Sequence, residues 1–133
     1  MEKKWYIIVG VLVVVVLLIV IWVAYAPGGK QLTEADNGKT IAVTVGQELE
    51  VTLEANPTTG YTWAVAEPTD EQIVRQTGEI EFVPESKALG AGGVQIIRFE
   101  VVGAGQTTLK LIYHRPWESV EPLQTFSVTL IAQ

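Results

Sequence analysis

The chain of 133 residues is 48% hydrophobic and 18% charged, with nine Lys and Arg against fifteen Asp and Glu and no cysteine. That length holds one domain and one core and excludes a second catalytic domain, while the missing cysteines exclude disulfides, thiolate nucleophiles and Cys-ligated metals. From Pro27 onward seven basic residues face fourteen acidic ones, a net charge of −7, without the basic stripe that nucleic acid requires, so nucleic acid is not an expected partner.

From Trp5 to Ala26 every one of 22 residues except Gly10 is apolar. A helix of that length spans about 33 Å, enough for a hydrocarbon core of about 30 Å. Trp5 and Tyr6 at one end and Trp22 and Tyr25 at the other suit the two interfaces, and Lys3-Lys4 keep the short end cytoplasmic. The pattern predicts a single-pass membrane anchor over 1–26, a short linker over 27–30, and one domain over 31–133 outside the cytoplasm. The alternative is a signal peptide cleaved near Ala26, where Ala24-Tyr25-Ala26 fits the small-x-small pattern. The run exceeds the roughly 7–15 residues of a signal core, and Pro27 would restrict the scissile bond. Both features favour the uncleaved anchor, and in either case the domain is exported.

Beyond Pro27-Gly28-Gly29, apolar residues recur at every second position, the spacing that lines one face of a strand. Ile41, Val43 and Val45 alternate with Ala42 and Thr44; Leu49, Val51 and Leu53 alternate with glutamates and Thr52; Trp63 and Val65 follow. Ile80 and Phe82, then Leu109, Leu111 and Tyr113, then Phe126, Val128 and Leu130 continue the pattern. Around Ile96-Ile97 the phase slips, which a β-bulge would absorb. Asn37-Gly38, Val45-Gly46-Gln47 and Gly103-Ala104-Gly105 supply turn chemistry. About seven short strands without a helical period predict an all-β, immunoglobulin-like antiparallel sandwich, its core carried by Trp63 and aliphatic neighbours with no inter-sheet disulfide.

Three connecting segments are more particular than turns need to be. Asn56-Pro57-Thr58-Thr59-Gly60-Tyr61 combines a proline that fixes φ with a glycine that permits a forbidden one, giving a stiff loop with two small hydroxyls at its tip. Leu89-Gly90-Ala91-Gly92-Gly93 is nearly bare of side chains, so another backbone could approach closely. Arg115-Pro116-Trp117-Glu118 ends in a large aromatic where a strand gives way to a loop. Counting two strands between successive loops puts all three at one end of the sandwich, provided Ile73–Thr77 belongs to the following strand, bent at Gly78. Aromatic and arginine anchors at one pole make a binding surface.

These three motifs, NPTTGY at 56–61, GAGG at 90–93 preceded by Ser86-Lys87, and RPW at 115–117, resemble the signature loops of the chagasin family of protein inhibitors of papain-like cysteine proteases. The resemblance extends over nearly all of 31–133, with the motifs in order and at compatible spacing. It implies an immunoglobulin-like sandwich whose three loops wedge into the protease's active-site cleft, reversibly and without being cleaved. By match, Thr58 and Thr59 enter the cleft, held by Asn56, Pro57 and Gly60, with Tyr61 supporting the loop base. Gly90, Ala91, Gly92 and Gly93 lie along one wall, and Trp117, oriented by Arg115 and Pro116, packs on the other. On this view Trp117→Ala and Gly93→Glu each weaken inhibition while leaving thermal stability nearly unchanged. His114 and Glu118, flanking the third motif, leave protease preference open.

Other chemistries are poorly served. Gly90–Gly93 lacks the phosphate-cradling glycine spacing, since position 95 is Gln, and it precedes a strand. One histidine gives neither a metal cluster nor a triad, no serine stands in a nucleophile-elbow setting, and Pro57 spoils the glycosylation sequon at Asn56. No cofactor and no enzymatic activity are expected, and the domain is expected to be monomeric. The competing function is a non-inhibitory extracytoplasmic binding or adhesion module that uses the same pole for another ligand. If Asp36-Asn37-Gly38-Lys39 closes a hairpin between 31–35 and 40–45, the anchor enters at the pole opposite the loops; if it is only a kink, the loops sit near the bilayer.

Overall fold

The computed structural model describes residues 28–66 and 69–133, and the apolar run expected to span a membrane lies outside them. Among the described residues no helix is long and apolar enough to cross a bilayer. The described chain is all-β, with nine strands: β1 (Lys30–Leu32), β2 (Thr40–Val43), β3 (Glu48–Ala55), β4 (Thr62–Val65), β5 (Val74–Gln76), β6 (Glu81–Pro84), β7 (Gly93–Val101), β8 (Gly105–His114) and β9 (Gln124–Ala132). One sheet runs β1-β3-β7, with β5 and β6 in turn along the far side of β7; the other runs β2-β9-β8-β4.

Strict alternation builds the sandwich. On β3, Leu49, Val51, Leu53 and Ala55 turn inward while Glu48, Glu50, Thr52 and Glu54 face out. The inner faces of both sheets meet in one core that includes Trp63, Phe99, Phe126, Leu109, Leu111 and Leu130. Each large side chain so buried contributes about 1.5–3 kcal/mol. On the outer face Arg98 lies between Glu81, at 2.9 Å, and Glu50, at 3.6 Å. Its hydrogen bond to Glu81 is the main cause holding it above the ordinary arginine pKa.

Three expectations need correction, and one alternative left open by the sequence is decided. The strands number nine rather than about seven, because β1 and β5 are three-residue strands too short to display an alternation. The sheets are mixed rather than antiparallel throughout, since β1 joins β3 and β2 joins β9 in parallel. Of the two alternatives left open at Asp36–Lys39, the hairpin does not form. Asp36-Asn37-Gly38-Lys39 do make a turn, with the Lys39 N–H donating to Asp36 O at 3.0 Å and Gly38 at φ +83°, but its limbs pair with different sheets. Asn37 pins that crossover to β9, its Oδ1 accepting from Ser127 N–H at 2.9 Å.

The bulge is absent as well. β7 pairs with β3 in unbroken register from Glu48↔Glu100 to Ala55↔Gly93. Its buried parity is Gln95, Ile97, Phe99, Val101, so the apparent slip arises because a polar residue, Gln95, faces inward while Val94 and Ile96 face out. The irregularity lies on the neighbouring edge. Between Gln76↔Phe99 and Glu81↔Ile96, four residues of the β5–β6 edge stand opposite two of β7, with Gly78 at φ +71° within that excess. β5 and β6 thus act as one interrupted strand bent at Gly78.

That topology fixes the poles. β3 runs toward Ala55 and the first loop, β6 toward the second, and β8 toward His114 and the third, so all three loops leave from one end. β1 lies parallel to β3 with Lys30 beside Leu49, and Gln47 Nε2 donates to Gly28 O at 2.9 Å. The described chain therefore begins at the opposite end.

Candidate functional site

The first loop leaves one sheet at Ala55 and enters the other at Thr62. Between them Pro57–Thr59 form a single 3₁₀ turn, entered from Asn56 at φ −137°, ψ 86° and ended by Gly60 at φ +87°, whose N–H bonds to Pro57 O. Asn56 is the hub. Its Oδ1 accepts from both the N–H and the hydroxyl of Thr58, and its carbonyl accepts from the Thr59 hydroxyl at 2.6 Å. The two hydroxyls expected at the tip are therefore engaged within the loop. The Asn56 N–H, in turn, donates to the Tyr113 hydroxyl at 2.8 Å, which roots the loop in the core.

The second loop, 85–92, closes through Glu85 N–H to Gly92 O at 3.0 Å and carries a turn from Ala88 to Ala91 with Gly90 at φ +76°. Asn56 Nδ2 donates to Gly90 O at 3.1 Å, joining it to the first loop. Of the expected glycine ledge, Gly90, Ala91 and Gly92 belong to the loop, but Gly93 is already the first residue of β7. A Cβ on Gly92 would make ordinary contact with Ala55 O at 3.5 Å, whereas one on Gly93 would run into the backbone of Val83 and Pro84. Gly93 is thus a close-packing glycine between two strands, and Gly93→Glu would disturb the fold; that overturns the expectation of unchanged stability.

The third loop, 115–123, docks on the first from the other side. Arg115 Nε donates to Thr59 O at 3.1 Å, its guanidinium lies 4.5 Å from the centroid of the Tyr61 ring, and Nη1 reaches Glu118 at 3.0 Å. That hydrogen bond to Glu118 is the chief cause raising the Arg115 pKa above its ordinary value. Tyr61 stacks on Tyr113 at 5.3 Å and Trp63 tilts against Tyr113 at 5.2 Å, a column of rings that supports the loop base. Pro116 and Trp117 turn at the rim; Trp117 is 69% exposed yet its ring borders Gly60.

All thirteen residues singled out from the sequence thus lie at one pole, with the first loop bonded to both others. Sequence reasoning missed Tyr113 as a loop support, although a tyrosine at a core position needs a partner for its hydroxyl. It also passed over Val120 and Leu123, large apolar side chains left exposed on the third loop, and read the second loop as nearly bare although Leu89 stands exposed on it. A depression of about 180 Å³ between Gly29, Lys30, Glu48, Glu50 and Arg98 lies toward the other end. A larger depression, about 510 Å³, lies at the loop pole itself between Asn56, Pro84, Glu85, Gly92 and Tyr113.

Known proteins place this arrangement. The model of the chagasin family peptidase inhibitors matches residues 42–130. Chagasin from Trypanosoma cruzi is 40% identical over 90 residues, 65% of this chain and 82% of that protein. Amoebiasin-1 from Entamoeba histolytica is 31% identical over 105 residues, 77% of this chain and 98% of that protein. A crystal structure of a cysteine protease inhibitor from Entamoeba histolytica superposes with a TM-score of 0.69 at 25% identity, covering 80% of this chain and 96% of that one. The chain belongs to the chagasin family of peptidase inhibitors.

Proposed function

We propose that this domain is a reversible, non-covalent, competitive inhibitor of papain-like cysteine proteases, and that it acts by seating its three-loop pole in the active-site cleft. The observation that carries the reading is the cross-bracing of the pole: Asn56 to Gly90 on one side, Arg115 to Thr59 on the other, and Trp117 against Gly60. A surface ordered during folding loses little further entropy on binding, which is what tight inhibition without a covalent bond requires. In this reading the tip at Thr58 and Thr59 enters the cleft, Gly90, Ala91 and Gly92 lie along one wall, and Trp117 packs on the other. The two-sheet sandwich is read as immunoglobulin-like, and the domain as a monomer that binds rather than catalyses.

The 22-residue apolar run serves here as a membrane anchor, with the domain outside the cytoplasm. Since the described chain begins at the pole opposite the loops, such an anchor leaves the inhibitory pole pointing away from the bilayer. Titrating papain with the full chain in detergent tests the inhibitor reading: a rise in apparent KM at constant kcat, with the chain recovered intact by mass spectrometry, is expected. Papain activity untouched at micromolar chain overturns it. Fractionation of expressing cells, with the mature mass read in membrane and medium, tests the anchor.

A further inference from the structure

We propose that Gln95 is a positioning residue of the inhibitory pole, fixing the exit of the first loop to the exit of the second; the role rests on the inhibitor reading above. Apart from the ring-bearing Trp63 and Tyr113, Gln95, 6% exposed, is the one buried polar residue among the described residues. It lies on β7 two residues beyond Gly93, where the second loop ends.

Across the sandwich stands β4, the edge strand of the other sheet, paired only with β8. The Ala66 N–H bonds to Lys110 O on β8, so by the alternation of strand hydrogen bonds the Trp63 N–H points off the free edge. A buried donor left there would be costly. Gln95 Oε1 accepts it at 2.9 Å, and Gln95 Nε2 donates to Thr62 Oγ1 at 3.0 Å.

One side-chain amide therefore straps the two sheets together at the level where both loops re-enter them. Thr62 and Trp63 directly follow Tyr61, and Trp63 is held again by its ring Nε1, which donates to Glu54 O at 2.9 Å on the strand entering the first loop. With this strap, the Asn56–Gly90 bond above it operates at a fixed separation. A polar residue at an inward position of a core strand breaks the local pattern, and such breaks fall where structure serves a site.

The test compares Gln95→Leu with Val101→Ala in the full chain. Val101 is fully buried on the same strand at the far pole and controls for lost stability. Gln95→Leu, which removes both hydrogen bonds, is expected to raise the papain inhibition constant about tenfold or more, and to speed amide exchange over residues 58–63. Val101→Ala is expected to lower the melting temperature without moving either readout. Should Gln95→Leu fail to fold, Thr62→Val, which removes one of the two partners, carries the same test with a smaller shift. Unchanged inhibition in the folded Gln95 variant, or equal weakening by Val101→Ala, overturns the role. If the parent chain does not inhibit papain, the inhibitor reading falls by itself, and amide exchange in the free chain decides the strap: unchanged rates over 58–63 in Gln95→Leu overturn it.

Discussion

The Trp117 ring packs against Gly60 so closely that a Cβ at position 60 would overlap the indole. Gly60 also holds φ +87°, where a side chain adds about 1–2 kcal/mol of strain. Two independent constraints therefore meet at one residue. Gly60→Ala is expected to cost about 1–2 kcal/mol of stability and to push the indole off the first loop, so that inhibition falls along with the melting temperature. Thermal unfolding and papain inhibition measured side by side check this; a variant that keeps both properties would show that the first and third loops do not depend on each other.

Trp117 itself is mostly exposed, so its truncation leaves the core intact. Trp117→Ala is expected to leave the melting temperature within a degree or two, while binding loses about 2 kcal/mol or more, the range of an aromatic hot spot. A loss of stability matching the loss of binding would assign the indole to the fold instead of the contact.

Tyr113 joins core and loop in one side chain. Tyr113→Phe keeps the ring stack with Tyr61 and Trp63 but removes the acceptor of the Asn56 N–H. Leaving that partly buried donor unpaired is expected to cost about 1–3 kcal/mol, read as a lower urea midpoint, with faster amide exchange at Asn56 than elsewhere in the core. Wild-type exchange at Asn56 would mean that the hydroxyl does not anchor the loop.

Adjacent glycines should behave differently. A methyl group on Gly92 meets only ordinary contacts, while one on Gly93 meets the backbone of Val83 and Pro84. Gly92→Ala is expected to unfold like the parent, and Gly93→Ala to be destabilised by about 1–3 kcal/mol, the usual range for overpacking. Inhibition by Gly92→Ala then reports directly on how closely the second loop approaches its partner. Equal melting temperatures for the two variants would contradict the packing at Gly93.

Much of this fold is legible in the chain because two-residue periodicity is a direct image of a half-buried strand, and β3 shows it along its whole length, β8 from Leu109 onward and β9 from Phe126 onward. Strand parity also gives the common pole, since each pair of strands returns the chain to the end it left. Legibility fails where a side chain contradicts its surroundings or an element is short. Gln95 faces the core, so the apolar residues on either side of it give the illusion of a bulge. Lys30–Leu32 and Val74–Gln76 pair through the backbone, and three residues carry no period. The partition of Asp36–Lys39 between two sheets is set by Asn37 reaching Ser127 on β9, a contact 90 residues away that no local pattern encodes. Within the site, the motifs reveal which residues gather but not the bonds that brace them: the Thr58 and Thr59 hydroxyls read as a free tip, yet both turn back on Asn56.

Arg115 makes three contacts that only a guanidinium can make at once. Nε reaches Thr59 O, Nη1 reaches Glu118, and the plane lies over Tyr61. An ammonium is a compact point charge with neither the planar fork nor the flat face, so it cannot make all three together. Arg115→Lys is therefore expected to keep the charge and the fold but to loosen the third loop from the first, weakening inhibition about tenfold or less. Because charge is conserved, the salt dependence of association should stay that of the parent while dissociation quickens. Stopped-flow association and dissociation rates with papain at two ionic strengths check this. An unchanged dissociation rate would show that the positive charge alone, and not the fork, holds the third loop in place.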